Sequence, residues 1–111
     1  MDADVRGWLH KSLMQAEIKT LLDDVTQQGA GSAVDVSGLI RLQAQLAGIG
    51  TATVKVEATI DGTNYVDVSG GGKTADSLFA LSNQGPFKNV RGNVSAYTSG
   101  TITLKLIGKR V

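Results

Sequence analysis

Residues Thr51–Val68 read TATVKVEATIDGTNYVDV, and this stretch decides the fold. Ala52, Val54, Val56, Ala58 and Ile60 alternate strictly with Thr53, Lys55, Glu57 and Thr59. A period of two puts one set of side chains on an apolar face and the other on a polar face, as a strand with one buried side requires. Asp61-Gly62 follows at once, then Thr63-Asn64, then a second run, Tyr65-Val66-Asp67-Val68. Asp-Gly between two such runs is the strongest short-range hairpin signal, because glycine reaches positive φ without steric cost. The stretch therefore predicts an antiparallel hairpin that sets the register of the strands around it.

The same alternation recurs on both sides. Upstream, Ile18, Thr20, Leu22 and Asp24 share one face of a strand, and Leu21, Asp23 and Val25 the other. Val34-Asp35-Val36 is a short strand, and Ile40, Leu42, Ala44 and Leu46 alternate with Arg41, Gln43 and Gln45 in another. Gly48-Ile49-Gly50 leads into the hairpin. Downstream, Ser69-Gly70-Gly71-Gly72-Lys73-Thr74 is flexible by composition, and Leu78–Leu81 forms a short strand broken by Asn83-Gln84-Gly85-Pro86. Val90, Gly92, Val94 and Ala96 make a further strand, Tyr97-Thr98-Ser99-Gly100 a turn, and Ile102, Leu104 and Leu106 the last strand. About eight strands at this spacing predict an all-β, antiparallel sandwich, jelly-roll-like, over residues 17–111.

Composition agrees with one such domain. The 111 residues include 14 Gly and one Pro, a usage suited to short strands and tight turns. There is no cysteine, so neither disulfides nor thiolate metal sites are available. Charge is close to balanced: residues 1–30 carry five acids and three bases (−2), residues 31–111 five acids and eight bases (+3). That tilt falls short of the concentrated basic face that nucleic-acid binding needs, so no nucleic-acid partner is expected. No apolar run approaches the ~20 residues that span a bilayer, and no membrane contact is expected. Asp2 and Asp4 stand where a secretory leader needs positive charge.

Residues 1–16 differ from the rest. Val5, Trp8, Leu9, Leu13 and Met14 recur at helical spacing, with Asp2 or Asp4 placed to cap the start. Gly7 weakens such a helix by roughly 1 kcal/mol, and a segment of ~14 residues is marginal unless it packs on something. The stripe can cover the domain's own core, dock on another subunit, or have no fixed structure. Trp8 favours the second, since aromatics are enriched at interface anchors, and Val5, Trp8, Leu9 and Leu13 are the candidate interface residues.

Catalytic chemistry finds little support. His10 is the only histidine and lies far in sequence from any paired acid, so no catalytic residue is assigned and no enzyme is expected. Asp23-Asp24, adjacent in a strand, point to opposite faces and cannot share a proton. Gly72-Lys73-Thr74 has Asp67 where a phosphate-binding loop needs its first glycine. Asp61, Asn64 and Asp67 offer too few oxygens for Ca²⁺, so neither metal nor cofactor is expected. Tyr65 and Tyr97, beside turns, could stack on sugars, but such residues more often close the ends of a sandwich.

Three phrases, Val34–Gly38, VKVEATIDGTNYVDV (54–68) and VRGNVSAYTSGTITLKLIG (90–108), carry a resemblance covering roughly residues 18–108. They resemble small β-sandwich proteins of tailed-bacteriophage virions. With the short length and amphipathic extension, the chain looks most like the capsid decoration (cement or staple) proteins, particularly those of short-tailed phages. The resemblance implies a jelly-roll body without enzymatic activity, on the capsid exterior, bridging neighbouring copies of the major capsid protein. A homodimer is the expected assembly, with a trimer as alternative. The competing expectation is a tail-fibre or baseplate module binding host-surface carbohydrate.

Overall fold

The computed structural model describes residues 16–110. Among them the fold is all-β and antiparallel, with seven strands: β1 (Ala16–Val25), β2 (Gly29–Ala30), β3 (Val34–Asp35), β4 (Leu39–Thr59), β5 (Val66–Asp67), β6 (Ser77–Ala80) and β7 (Asn89–Arg110). The helix expected over residues 1–16 lies outside the described residues, except that Ala16 already belongs to β1.

β4 and β7 form the spine. They pair along their whole lengths, from Leu39 opposite Arg110 to Thr59 opposite Asn89. β1 runs beside the C-terminal half of β7, while β2 and β3 run beside its N-terminal half. On the other flank, β6 lies beside the first half of β4 and β5 beside the second. The predicted hairpin is the β4–β5 pair, with Glu57 opposite Asp67 and Ala58 opposite Val66.

The ladder is one open sheet folded over on itself. A Cβ placed on Gly92 would lie 3.0 Å from Leu104 Cδ2, although both residues belong to β7. Twelve residues of straight strand span about 40 Å, so β7 doubles back between them. The crease is marked by glycines in left-handed backbone: Gly48 at φ +80° and Gly100 at φ +125°. A Cβ on Gly48 would overlap the Thr101 carbonyl oxygen outright. Only glycine lets the two spine strands approach this closely while turning.

The segment 81–88 ties the free ends of the two halves together. Leu81 N–H donates to the Leu42 carbonyl (3.1 Å) and Ser82 N–H to that of Val68 (2.8 Å). Arg41 N–H donates to the Gln84 carbonyl (3.2 Å), and Lys88 N–H to that of Thr59 (2.9 Å). Between the halves lies the core, built on the spine strands mainly from even-numbered positions: Leu42, Ala44, Leu46, Val54, Val56 and Ala58 of β4, with Val90, Val94, Ile102, Leu104 and Leu106 of β7.

The differences from expectation have local causes. Gly48–Gly50 and Tyr97–Gly100 are creases inside continuous strands, so four expected strands become β4 and β7. In β1, register shifts between Thr20 and Leu22 and between Leu22 and Val25 bury Leu21 and Leu22 together. Arg41 at φ 57°, within another register shift, makes Leu39 rather than Ile40 the fully buried residue. Ile60, expected inside, is exposed because β4 ends at Thr59, which is itself buried. The 69–74 segment is partly tied down: Ser69 is buried and donates to Asp67, and Lys73 exchanges backbone hydrogen bonds with Val54 (2.8 and 2.9 Å).

Candidate interaction surface

The creased sheet presents two outer faces with different chemistry. Across the first half, the register aligns Ile18, Ile107, Gln43 and Ala80 in one row. The next row is Thr20, Lys105, Gln45 and Leu78. These are the positions between the buried ones, so the alternation that builds the core also fixes which side chains face outward. Ile18 is 67% exposed, Leu78 71% and Ile107 40%. Together with Gln43, Gln45 and Lys105 they line a groove of about 270 Å³. Its walls are aliphatic, from Ile18 on β1 and Leu78 on β6. Its floor is mixed, from the two spine strands, and no carboxylate lines it among the described residues.

The outer face of the second half is polar and internally paired. Arg91 Nε donates to Glu57 Oε1 (2.9 Å), and Asn93 Nδ2 donates to Glu57 Oε2 (3.2 Å). The Arg91 guanidinium also stands 4.0 Å from the Tyr65 ring centroid, a cation–π distance. Tyr97 instead donates its hydroxyl to the Gly100 carbonyl (2.6 Å) at the crease. The two tyrosines thus serve separate structural contacts and do not form one stacking platform. A second apolar notch, about 260 Å³, lies at the free end, where exposed Ile60 and Val66 flank the buried Phe87.

The carboxylates read as metal candidates are turned to local work. Asp61 accepts from the backbone N–H groups of Asn64 and Thr63 (2.8 Å each), from Asn64 Nδ2 (2.7 Å) and from the Thr59 hydroxyl (2.8 Å). Those bonds, led by the Asn64 N–H, hold its carboxyl far below the usual carboxylate range. At Asp67, burial pushes the carboxyl up, but the Ser69 hydroxyl and the N–H groups of Ser69 and Gly71 outweigh it and the net shift is downward. Among the described residues no three His, Cys, Asp or Glu side chains gather as a metal site. Asp23 and Asp24 fall in the irregular end of β1, where Asp24 accepts from the Thr103 hydroxyl (3.2 Å). Lys73 of the glycine-rich loop places its ammonium 4.8 Å from the Phe79 ring centroid.

Of the sequence-derived candidates, Val5, Trp8, Leu9, Leu13 and His10 lie outside the described residues. The groove residues are not singled out by sequence. Ile107 is nonetheless readable, since it breaks the alternation of Leu104 and Leu106 by facing the other way. Leu78 carries no such signal, because Leu78 and Ala80 alternate with the equally apolar Phe79 and Leu81, and Ile18, standing between Glu17 and Lys19, reads as an inward residue.

No family model matches the chain, and no curated sequence does. Likeness appears among solved structures. The SPBc2 prophage-derived protein YomS superposes with a TM-score of 0.70 at 16% identity, over 84% of this chain and 91% of YomS. The PBSX exported protein XepA superposes with a TM-score of 0.64 at 14% identity, over 84% of this chain. The chain spans 38% of XepA's length. A family 29 carbohydrate-binding module aligns at a TM-score of 0.46, too loosely to argue from. At these identities the likeness establishes a shared all-β fold, present in a prophage-derived protein over nearly its whole length.

Proposed function

We propose that this chain is a phage virion structural protein that binds the outer surface of the capsid, bridges neighbouring major capsid subunits and so stabilises the shell. The observation that carries the reading is the near end-to-end superposition on prophage-derived YomS. The sequence phrases that resemble capsid decoration proteins support it, as does the exposed aliphatic face. The physics is linkage: a protein that binds only the assembled lattice stabilises it by mass action. Contacts to several subunits add avidity without requiring one tight site. Val5, Trp8, Leu9 and Leu13 supply an anchoring stripe, and the protein acts as a homodimer.

The test is co-sedimentation of purified protein with undecorated capsids, comparing wild type, Trp8→Ala, and the pair Tyr65→Ala and Tyr97→Ala. The expected result is binding at micromolar protein, weakened by Trp8→Ala and little changed by either tyrosine variant. If the protein instead bound host-surface glycan and lost that binding with the tyrosines, the tail-fibre reading would replace this one. No binding to shells at micromolar protein would overturn the capsid reading.

A further inference from the structure

We propose that the groove between Ile18 and Leu78 receives the apolar stripe Val5, Trp8, Leu9 and Leu13 of a second copy of this chain. The exchange is reciprocal, so the assembly is an arm-exchanged two-fold dimer. The inference rests on the groove and on the helical period of residues 5–13; it assigns the stripe to the dimer, so that Trp8→Ala weakens capsid attachment by removing the second copy's contacts and not by removing a direct one.

The dimensions fit first. Ile18 and Leu78 stand on the outermost strands of the order β1, β7, β4, β6, with three inter-strand spacings between them. That separation is about 14 Å, and a helix with its side chains is about 10–12 Å across. A helix laid along the strands would rest on Ile107, Gln43 and Gln45 with an aliphatic wall on each side. The groove's cation is Lys105; the incoming segment carries Asp2 and Asp4 at its start, balanced by Arg6 and Lys11 further along, so Lys105 can pair only with the segment's first residues. An aliphatic wall more than two thirds exposed on each side is a surface that gains by being covered.

The choice of a second copy, not the chain's own arm, comes from the junction. Residues 1–15 enter β1 at Ala16, which pairs with Lys109. Leu13 stands five residues before Ile18, so seating the stripe in its own groove demands a sharp reversal between them. From Leu13 to Ile18 the chain reads LMQAEI, with no Gly, Pro, Asn, Asp or Ser to make that turn. An arm that continues past the end of its own sheet reaches a neighbour instead. Direct pairing of the β1 edges is disfavoured: Glu17 and Lys19 alternate with outward Ile18 and so turn towards the interior rim, where charges deter edge-to-edge addition. Glu17 is also held there by Arg110, whose Nη2 donates at 2.7 Å.

The absence of cysteine makes the test clean. A Leu9→Cys, Leu78→Cys double variant is oxidised and run without reductant, beside each single variant. Arm exchange predicts a covalent dimer specific to the double variant. A disulfide closed within one chain, or a product no different from the singles, overturns the proposal. Light scattering of full-length wild type, Ile18→Glu and Leu78→Glu gives the second readout. Both substituted positions are exposed, so folding is retained, and far-UV circular dichroism checks this. The dimer dissociation constant should rise by roughly tenfold or more in each glutamate variant. A dimer unaffected by both variants, or a wild type monomeric at high micromolar concentration, refutes it.

Discussion

Gly92→Ala tests whether the two halves of the sheet meet as described. Gly92 lies in β7, and a Cβ added there would stand 2.6 Å from Leu22 Cγ, 2.9 Å from Leu22 Cδ1 and 3.0 Å from Leu104 Cδ2. All three atoms belong to buried side chains, so none can swing into solvent. Overpacking by one methyl in such a site costs about 1–3 kcal/mol. Against this, alanine restricts the unfolded chain and returns roughly 0.4–1 kcal/mol. The net expectation is destabilisation by about 1–2 kcal/mol, and a fall in Tm of roughly 5–10 °C. The decisive measurement is a double-mutant cycle with Leu22→Ala, followed by urea denaturation. Leu22→Ala alone leaves a cavity and costs about 2–4 kcal/mol. In the double variant the methyl added at position 92 enters the space that Leu22 vacates, so the two costs should fall short of their sum by about 1–2 kcal/mol. Strict additivity, or a Gly92→Ala protein as stable as wild type, would mean that Leu22 and Leu104 do not press on this point of β7 and that the sheet is not closed there.

Gly48→Ala tests the crease itself. The residue combines φ +80° with a Cβ position that overlaps the Thr101 carbonyl oxygen, so the left-handed strain and the clash together should cost roughly 2–4 kcal/mol in urea unfolding. For Arg91→Ala, the loss of the Glu57 hydrogen bond and the Tyr65 contact should cost about 1–2 kcal/mol while leaving dimerisation unchanged, which chemical denaturation and light scattering would separate. Asp61→Ala removes a carboxyl whose folded value lies below its unfolded one. Such a group contributes stability that is present above about pH 4 and is lost as the pH falls through the folded value. The variant should therefore be less stable at neutral pH and show a shallower acid limb in Tm against pH. An unchanged acid limb would show that the Asp61 bonds do not form in solution.

Much of the fold is legible in the sequence because the burial parity is simple. Val54, Val56 and Ala58 are buried as their alternation requires, and so are Val90, Val94, Ile102, Leu104 and Leu106. The creases read as turns because Gly48 and Gly100 look the same in sequence whether the chain reverses or merely bends. A further regularity distinguishes the two: the buried positions stay even-numbered from Leu46 across the crease to Ala52, and from Val94 across it to Ile102. The same parity on both sides of a glycine pair marks one folded strand. Bulges lie beyond the pattern. Burial of adjacent Leu21 and Leu22 depends on the register against β7, a long-range property that residues 18–25 do not encode by themselves. The groove is unreadable for the same reason, since it brings together Ile18, Gln43, Leu78 and Ile107 from four strands.

The two outer faces divide stability from assembly. On the polar face, Glu57 already has Arg91 and Asn93 as partners, and Arg91 has Tyr65, so a ligand arriving there would have to replace bonds that exist. On the grooved face, the exposed side chains of Ile18 and Leu78 gain little from the fold, and Ile107 stays partly exposed. Water around them is released only when something covers them, and the gain scales with the area removed from water. A fold that pairs the polar groups of one outer face and leaves aliphatic walls exposed on the other is disposed to associate through the second. The asymmetry divides the work: the paired groups of one face hold β4 and β7 in register, and the aliphatic walls of the other remain exposed.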